Sequence, residues 1–243
     1  MPSSKSESYN SPPTKAPPGM IWLRPERTGR GPEPSHSRAA IAAAAIALAD
    51  AEGVGAVSMR KIAAAVGAGT MSLYNYVATK EHLFDLMLDA VVSEFAIPDE
   101  PSGDPREDLA LLAREELAAM RRHPWLAQLS ITRPSVGPGA LRNIEFFLGA
   151  LADAPLSGGT KLEMFAHLNG FVAQFAEWER TTISNASTQH VDLAAYLSGV
   201  LANGSYPNLA AALADSSGSP LDAEAIFTSS LDRLLSAFLR PPS

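Results

Sequence analysis

The sequence predicts an all-α fold, and three observations carry that expectation. Apolar residues recur at the three- and four-residue intervals of a helix from Ile41 almost to the C-terminus. No segment shows sustained apolar–polar alternation or β-branched enrichment, so nothing reads as a strand. The breaks between apolar stretches hold Gly, Pro, Ser and Thr where helices start and stop. The expected architecture is a three-helix N-terminal unit plus a larger all-helical domain, with about nine to ten helices.

Residues 1–36 form the expected N-terminal arm, 37–83 the three-helix unit and 84–243 the larger domain. Residues 1–19 are rich in Ser and Pro and poor in apolar side chains, a composition expected to be disordered. The run from Ile21 to Pro32 mixes the apolar anchor Ile21-Trp22-Leu23 with Arg24, Arg27 and Arg30 and has no helical period. Two readings fit it: an arginine arm following a DNA backbone or minor groove, and a basic linker with Trp22 packed loosely beside it. Neither gives residues 1–32 enough apolar content to join a core.

Ser37 is placed to cap a first helix running through Ile41, Ala45, Leu48 and Ala49 to a stop at Gly53. Ser58 caps a second, with Ile62, Ala63 and Val66 on one face. Gly67 permits a tight turn, and Thr70 is placed to cap a third helix anchored by Leu73 and Val77. Two short helices around a glycine make a helix-turn-helix. Thr70, Met71, Ser72, Asn75 and Tyr76 are left outside, with Tyr74 near the edge, and nearly all carry a hydrogen-bonding group suited to a groove. Thr79, Glu81 and His82 open a fourth helix along Leu83, Phe84, Met87, Leu88, Val91 and Phe95, ending before Pro98. Residues 98–105, with three prolines, read as a loop. Further helical stretches fall near 105–122, 124–131, 138–153, 158–184, 191–203, 207–215 and 221–240. Those at 158–184 and 221–240 carry apolar faces too wide for one chain to cover, so each needs a partner across an interface.

The chain has 243 residues and no cysteine, which excludes disulfides, thiolate metal sites and thiol nucleophiles, and a cytoplasmic location is expected. No apolar stretch reaches the roughly 18 residues that span a bilayer. The net charge of −7 divides unevenly: residues 1–80 hold nine Lys/Arg against five Asp/Glu, the rest ten against twenty-one, so +4 is followed by −11. A basic N-terminal part and an acidic remainder suit a protein that meets phosphate with one end only.

Enzyme chemistry finds no support. Gly67-Ala68-Gly69-Thr70-Met71-Ser72 lacks the third glycine and the preceding strand of a dinucleotide loop, and turn and cap residues explain it. The five histidines (36, 82, 123, 167 and 190) show no i, i+4 pair or carboxylate grouping, so neither a metal site nor a cofactor is expected. No nucleophile elbow or paired carboxylates appear.

The run Ser58-Met59-Arg60-Lys61-Ile62-Ala63, Val66-Gly67, Leu73-Tyr74-Asn75-Tyr76-Val77 and Lys80 resembles the N-terminal domain of the tetracycline-repressor (TetR) family, over roughly residues 37–95. The resemblance implies a DNA-binding head whose last short helix enters the major groove, joined by a fourth helix to a ligand-binding, dimerising body. Arg60 is then the candidate guanine reader, Thr70, Met71 and Asn75 lie near base edges, and Ser72, Tyr74, Tyr76 and Lys80 meet phosphates, with Arg24, Arg27 and Arg30 on the arm. The implied dimer pairs the 158–184 and 221–240 helices.

Leu129-Ser130-Ile131-Thr132-Arg133-Pro134 and Asn143-Ile144-Glu145-Phe146-Phe147-Leu148 resemble the tetracycline-responsive branch, where the Thr-Arg-Pro loop lies at the ligand. Leu129 stands where that branch has a magnesium-ligating histidine, so metal-free binding is expected. Trp125, Phe146, Phe147, Phe171, Phe175 and Trp178 suggest a large aromatic or polyketide-like ligand, with Arg133, His167 and Asn169 as polar contacts. They equally suit an ordinary core. The function expected is that of a ligand-responsive repressor on a palindromic operator. The alternatives are an effector-free DNA-binding dimer and an enzyme with an appended head.

Overall fold

The computed structural model describes residues 19–24, 36–133, 135–184, 189–202, 204–216 and 222–240. A 3-10 turn, Ile21–Leu23, comes first. Eleven α-helices and no strand follow among the described residues: α1 Arg38–Glu52, α2 Met59–Ala65, α3 Thr70–Tyr76, α4 Lys80–Val92, α5 Pro105–Arg122, α6 Leu126–Thr132, α7 Pro138–Ala150, α8 Gly158–Ser184, α9 Gln189–Ala202, α10 Pro207–Ser216 and α11 Ala223–Phe238.

Side-chain caps set most of the starts. Ser37 accepts from the Ala40 N–H, Ser58 from Lys61, Thr79 from His82, and Asp104 from Arg106 and Glu107 ahead of Pro105. Thr70 is not a cap. Gly69 takes the extended N-cap conformation without a side-chain bond, and Thr70 is the first helical residue.

α1 packs most extensively on α4. Its buried face is Ile41, Ala42, Ala45 and Ala49, and the three alanines let the two axes approach closely. α4 ends at Val92, one turn earlier than the apolar spacing suggests. The Ser93 hydroxyl donates back to the Asp89 carbonyl at 2.6 Å, and such back-bonding competes with helical continuation. Phe95 and Ile97 stay buried beyond that end, their carbonyls accepting from the Arg142 guanidinium at 3.4 and 2.6 Å.

α8 is the central post of the body and packs against α5, α6, α7 and α11. Met164, Leu168, Val172, Ala173, Phe175 and Ala176 are buried along it. Arg121 of α5 grips Glu179 of α8 through two bonds, at 2.9 and 2.8 Å, and reaches Glu224 of α11 at 3.1 Å. α9 and α10 pack chiefly on each other and leave Tyr196, Tyr206 and Leu209 exposed.

Candidate nucleic-acid interface and effector region

The turn between α2 and α3 is built by backbone bonds. Gly67 has φ 68°, its N–H donates to the Ala64 carbonyl at 3.2 Å, and the Ala68 N–H donates to Ala63 at 2.8 Å, the two bonds of a Schellman motif. A Cβ at Gly67 would meet nothing within 4 Å, so the left-handed backbone, rather than space, calls for glycine. The turn lets α3 bury Leu73 and turn its other residues outward. Thr70, Met71, Ser72, Tyr74 and Asn75 are exposed, Met71 by 80%. Tyr76 is half-buried, edge-on to the His36 ring at 6.3 Å.

Arg60 is exposed in the first turn of α2 and makes no ion pair among the described residues, whereas its neighbour Lys61 is paired with Glu52 at 2.6 Å. The half-buried Lys80 lies with its amine 5.1 Å from the centroid of the Phe84 ring. Arg24 departs from the expected outward arm. Its Nη1 is buried without a partner among the described residues, and its carbonyl accepts from Arg38 Nη2 at 3.0 Å. Arg27 and Arg30 lie outside the described residues.

Three ties centred on carboxylates join the first four helices to the body. Asp50 of α1 accepts from the Trp125 indole N–H at 2.7 Å and meets His123 Nδ1 at 2.9 Å. Arg133 donates to Asp85 of α4 at 3.0 Å and to the Glu81 carbonyl at 3.3 Å, with its guanidinium 5.8 Å from the Phe84 ring centroid. The buried Asp89 of α4 accepts from the Gly139 and Ala140 N–H groups of α7. Desolvation raises the Asp89 carboxyl above its ordinary range despite those two bonds. His82 Nδ1 and Asn143 Oδ1 are buried beside these ties without partners, while the Asn143 amide donates to the Val92 carbonyl.

Among the described residues, the expected ligand residues line none of three clefts in the body. Trp125 is buried and spoken for by Asp50. Phe146 and Phe147 are core residues of α7, the latter 5.2 Å from Phe165. Phe171, Phe175 and Trp178 form a column with Phe227 of α11 at centroid distances of 5.0 to 6.3 Å. His167 is exposed, so it is no core histidine, and Asn169 is half-buried. Leu129 is buried on α6, and the exposed Thr132 closes the last turn of that helix by donating to the Gln128 and Leu129 carbonyls. Pro134 lies outside the described residues.

A cleft of about 880 Å³ opens instead between the 98–105 loop and the C-terminal ends of α7 and α11, lined by Glu100, Pro101, Asp153, Leu156, Phe238 and Arg240 among others. Clefts of about 550 and 230 Å³ flank α5. None of the three is lined by a residue of α4 or by any of the expected ligand residues: Trp125, Leu129 and the α8 aromatics are all absent from the linings. One further buried group stands out on α5, where Glu116 has its carboxyl pushed up to about 8 by desolvation.

Sequence reasoning missed Asp50, His123, Asp85 and Asp89. Each is an acid or histidine on a helix that reads as surface, and its partner lies far along the chain. A signal existed only for Asp89, in the Gly137-Pro138-Gly139 run, whose missing side chains and missing N–H leave a helix start to be capped from elsewhere.

An exposed helix-turn-helix carried on a connector that is tied at three places to an all-helical body defines a helix-turn-helix regulator. Residues 41–87 match the family described as bacterial regulatory proteins, tetR family, and residues 97–238 match the tetracyclin repressor-like C-terminal domain. The chain belongs to the TetR family of transcriptional regulators, whose members are DNA-binding regulators rather than enzymes. The HTH-type transcriptional repressor DrrR1 of Streptomyces coeruleorubidus is 36% identical over 212 residues, 84% of this chain and 78% of that protein. An HTH-type transcriptional regulator of Saccharopolyspora erythraea is 37% identical over 155 residues, 64% of this chain and 65% of its own. ActR of Streptomyces coelicolor in complex with actinorhodin is similar in structure, with a TM-score of 0.73 and 28% identity over 84% of this chain and 97% of that one. The apo form of ActR gives the same TM-score at 27% identity over 85% and 96%. No helix among the described residues is long and apolar enough to cross a membrane.

Proposed function

We propose that the chain is a cytoplasmic, dimeric repressor that reads a palindromic operator with α2 and α3 and is released by a small aromatic effector bound in the body. The observation that carries the DNA reading is the outward display of Thr70, Met71, Ser72, Tyr74 and Asn75 over a Leu73 anchor, with Arg60 beside it. In this reading residues 37–83 form the head and 84–243 the body. The 158–184 and 221–240 helices pair across a dyad and set the two heads about one helical turn, ~34 Å, apart. Arg60 reads guanine, Thr70, Met71 and Asn75 face base edges, and Ser72, Tyr74, Tyr76 and Lys80 fix the register on phosphates. Of the arm's three arginines, Arg24 is half-buried and would have to turn its Nη1 outward to join them.

The effector reading rests on the actinorhodin complex of ActR and on the aromatic column along α8. Those rings touch one another, so an aromatic ligand has to part them, and a state with them parted is the one such a ligand would favour. Tension between the ties at Asp50, Asp85 and Asp89 would then carry the change to the heads. A second reading, in which the body sets operator spacing and takes no effector, is favoured by the absence of α4 and of the aromatic column from the walls of the three clefts.

The experiment is to select a duplex from random sequence with the chain and then titrate its release by actinorhodin, with and without EDTA. Because Leu129 stands at the metal-ligand position of the tetracycline branch, release should be the same in both arms. Release that requires added magnesium would overturn the metal-free reading. No release, together with no binding of actinorhodin to the free protein, would turn the choice to the effector-free dimer.

A further inference from the structure

Ile21 is fully buried although it sits in a segment too poor in apolar residues to fold by itself. The described part of the arm, residues 19–24, therefore contributes to the core through Ile21, contrary to the expectation from composition. Trp22 is half-buried, and its ring edge lies at the N-cap of α7: a Cβ added at Gly137 would come within 2.5 Å of Trp22 Cζ2 and would run into the Asp89 carboxylate. The indole thus touches the α4–α7 seam from outside while Asp89 closes it from within.

That seam is built for close approach. α7 has no side-chain cap of its own and Pro138 brings no N–H, so the Asp89 carboxylate, reaching across from α4, accepts from Gly139 at 2.9 Å and from Ala140 at 3.1 Å. A Cβ at Gly139 would collide with the Ser93 hydroxyl and come within 2.9 Å of the Asp89 carbonyl. Beyond Trp22, the bond from Arg38 to the Arg24 carbonyl fastens the segment to the first turn of α1.

We propose that Ile21 and Trp22 form an intramolecular latch on the α4–α7 seam, which holds the DNA-reading helices in one orientation on the body. Both are positioning residues. α4 carries α1 and, through it, the reading pair, so any slide of α4 along α7 has to break the Asp89 bonds and shift the Trp22 edge at Gly137. A segment docked there stabilises one head orientation over others by the apolar surface it keeps from water. Its contribution in this proposal is posture rather than charge: Arg24 is half-buried, with its Nη1 shielded from solvent. The proposal rests on the regulatory reading, since an orientation of the heads matters only to a DNA-binding protein.

The test uses the full chain with Trp22→Ala and, separately, with Gly137→Ala, which wedges the seam while leaving the arm's own sequence intact. Amide hydrogen exchange at Gly139 and Ala140 is read alongside affinity for a duplex selected from random sequence by the wild-type chain. Both variants should speed exchange at those two amides and weaken duplex binding by a similar factor, roughly five- to a hundredfold, the usual range of coupling between distant sites. The salt dependence of binding should stay as in the wild type. Unchanged exchange at Gly139 and Ala140 in Trp22→Ala overturns the latch. So does a loss of affinity that comes with a shallower salt dependence, which would make the segment a phosphate-contacting arm. If exchange also rises along α8, Trp22→Phe decides: protection at Gly139 restored together with affinity upholds the latch, and protection restored without affinity overturns it. Should the wild-type chain select no duplex, the DNA reading fails, while the exchange data still decide whether the segment is docked.

Discussion

In the proposed DNA reading, Arg60 of α2 and Lys80 of α4 are two cations that serve different ends. Arg60 stands exposed on α2, so Arg60→Ala should relax specificity at one base position and cost about 1 to 3 kcal/mol of operator binding, the value of a bidentate contact to guanine. Lys80 lies over the Phe84 ring at the start of α4. Its replacement by Ala should weaken binding evenly across sequences and flatten the salt slope by about one counterion per head. Measured on matched and mismatched duplexes, identical shifts for both variants would show that this division of roles is mistaken. A third residue sets a pH dependence. Burial raises the Glu116 carboxyl from an ordinary 4.5 to about 8, with no ion-pair partner among the described residues. Between those two values the folded chain keeps a proton that the unfolded chain has released, so stability falls as pH rises through that window, by up to about 1.4 kcal/mol per pH unit. Glu116→Gln should remove the fall and match or exceed the wild type in melting temperature at pH 8. Parallel pH curves for the two proteins would mean that Glu116 is not the group responsible.

At the level of single helices, local chemistry and sequence agree wherever one side chain decides the outcome. Ser37, Ser58, Thr79 and Asp104 cap the helices they precede, and Gly53 and Gly67 take the positive φ that their place at a helix end requires. The two errors have local causes. Thr70 has a capping side chain, but Gly69 already supplies the extended residue, so the hydroxyl falls one position too late. Phe95 keeps helical spacing with Val91 and Met87, yet Ser93 turns the chain out of the helix and leaves Phe95 buried from an irregular segment. Gly67→Ala tests the element most directly. With φ at 68° and no neighbour in the way, the change costs about 1 to 2 kcal/mol of backbone strain and nothing in packing. Thermal denaturation should show a modest drop, and duplex binding should weaken further as the α2–α3 angle relaxes. An unchanged melting temperature and unchanged binding would mean that the turn tolerates an L-residue and that its bonds are not what sets the angle.

In the molecule as a whole, the outward face of α3 was legible in the sequence and the arrangement of the body's aromatic residues was not, for a physical reason. An outward face on a helix with one small anchor is defined by polarity alone, whereas a phenylalanine on an apolar helix has the same signature whether it meets a ligand or, as Phe171 does, another ring. The ties between head helices and body were equally hidden, because Asp50 finds Trp125 and Asp85 finds Arg133 across 75 and 48 residues. The long apolar helices lie between these cases. Their excess width was visible, and the structure leaves Phe165, Phe171, Ile226, Leu234 and Phe238 half-buried and Leu162 50% exposed on α8 and α11. If these faces pair across a dyad, a charge placed among them meets its own copy in an apolar seam, where neither is solvated or paired. Leu162→Glu with Leu234→Glu should therefore give a monomer in sedimentation at concentrations where the wild type is dimeric. Each monomer keeps its own core, since both residues face outward at least in part, so circular dichroism should stay helical. Duplex affinity should fall steeply, because two half-sites bound by one dimer become two separate and weak events. A double variant that still sediments as a dimer would move the interface off these helices, and the exposed Tyr196, Tyr206 and Leu209 of the α9–α10 pair would be the next surface to substitute.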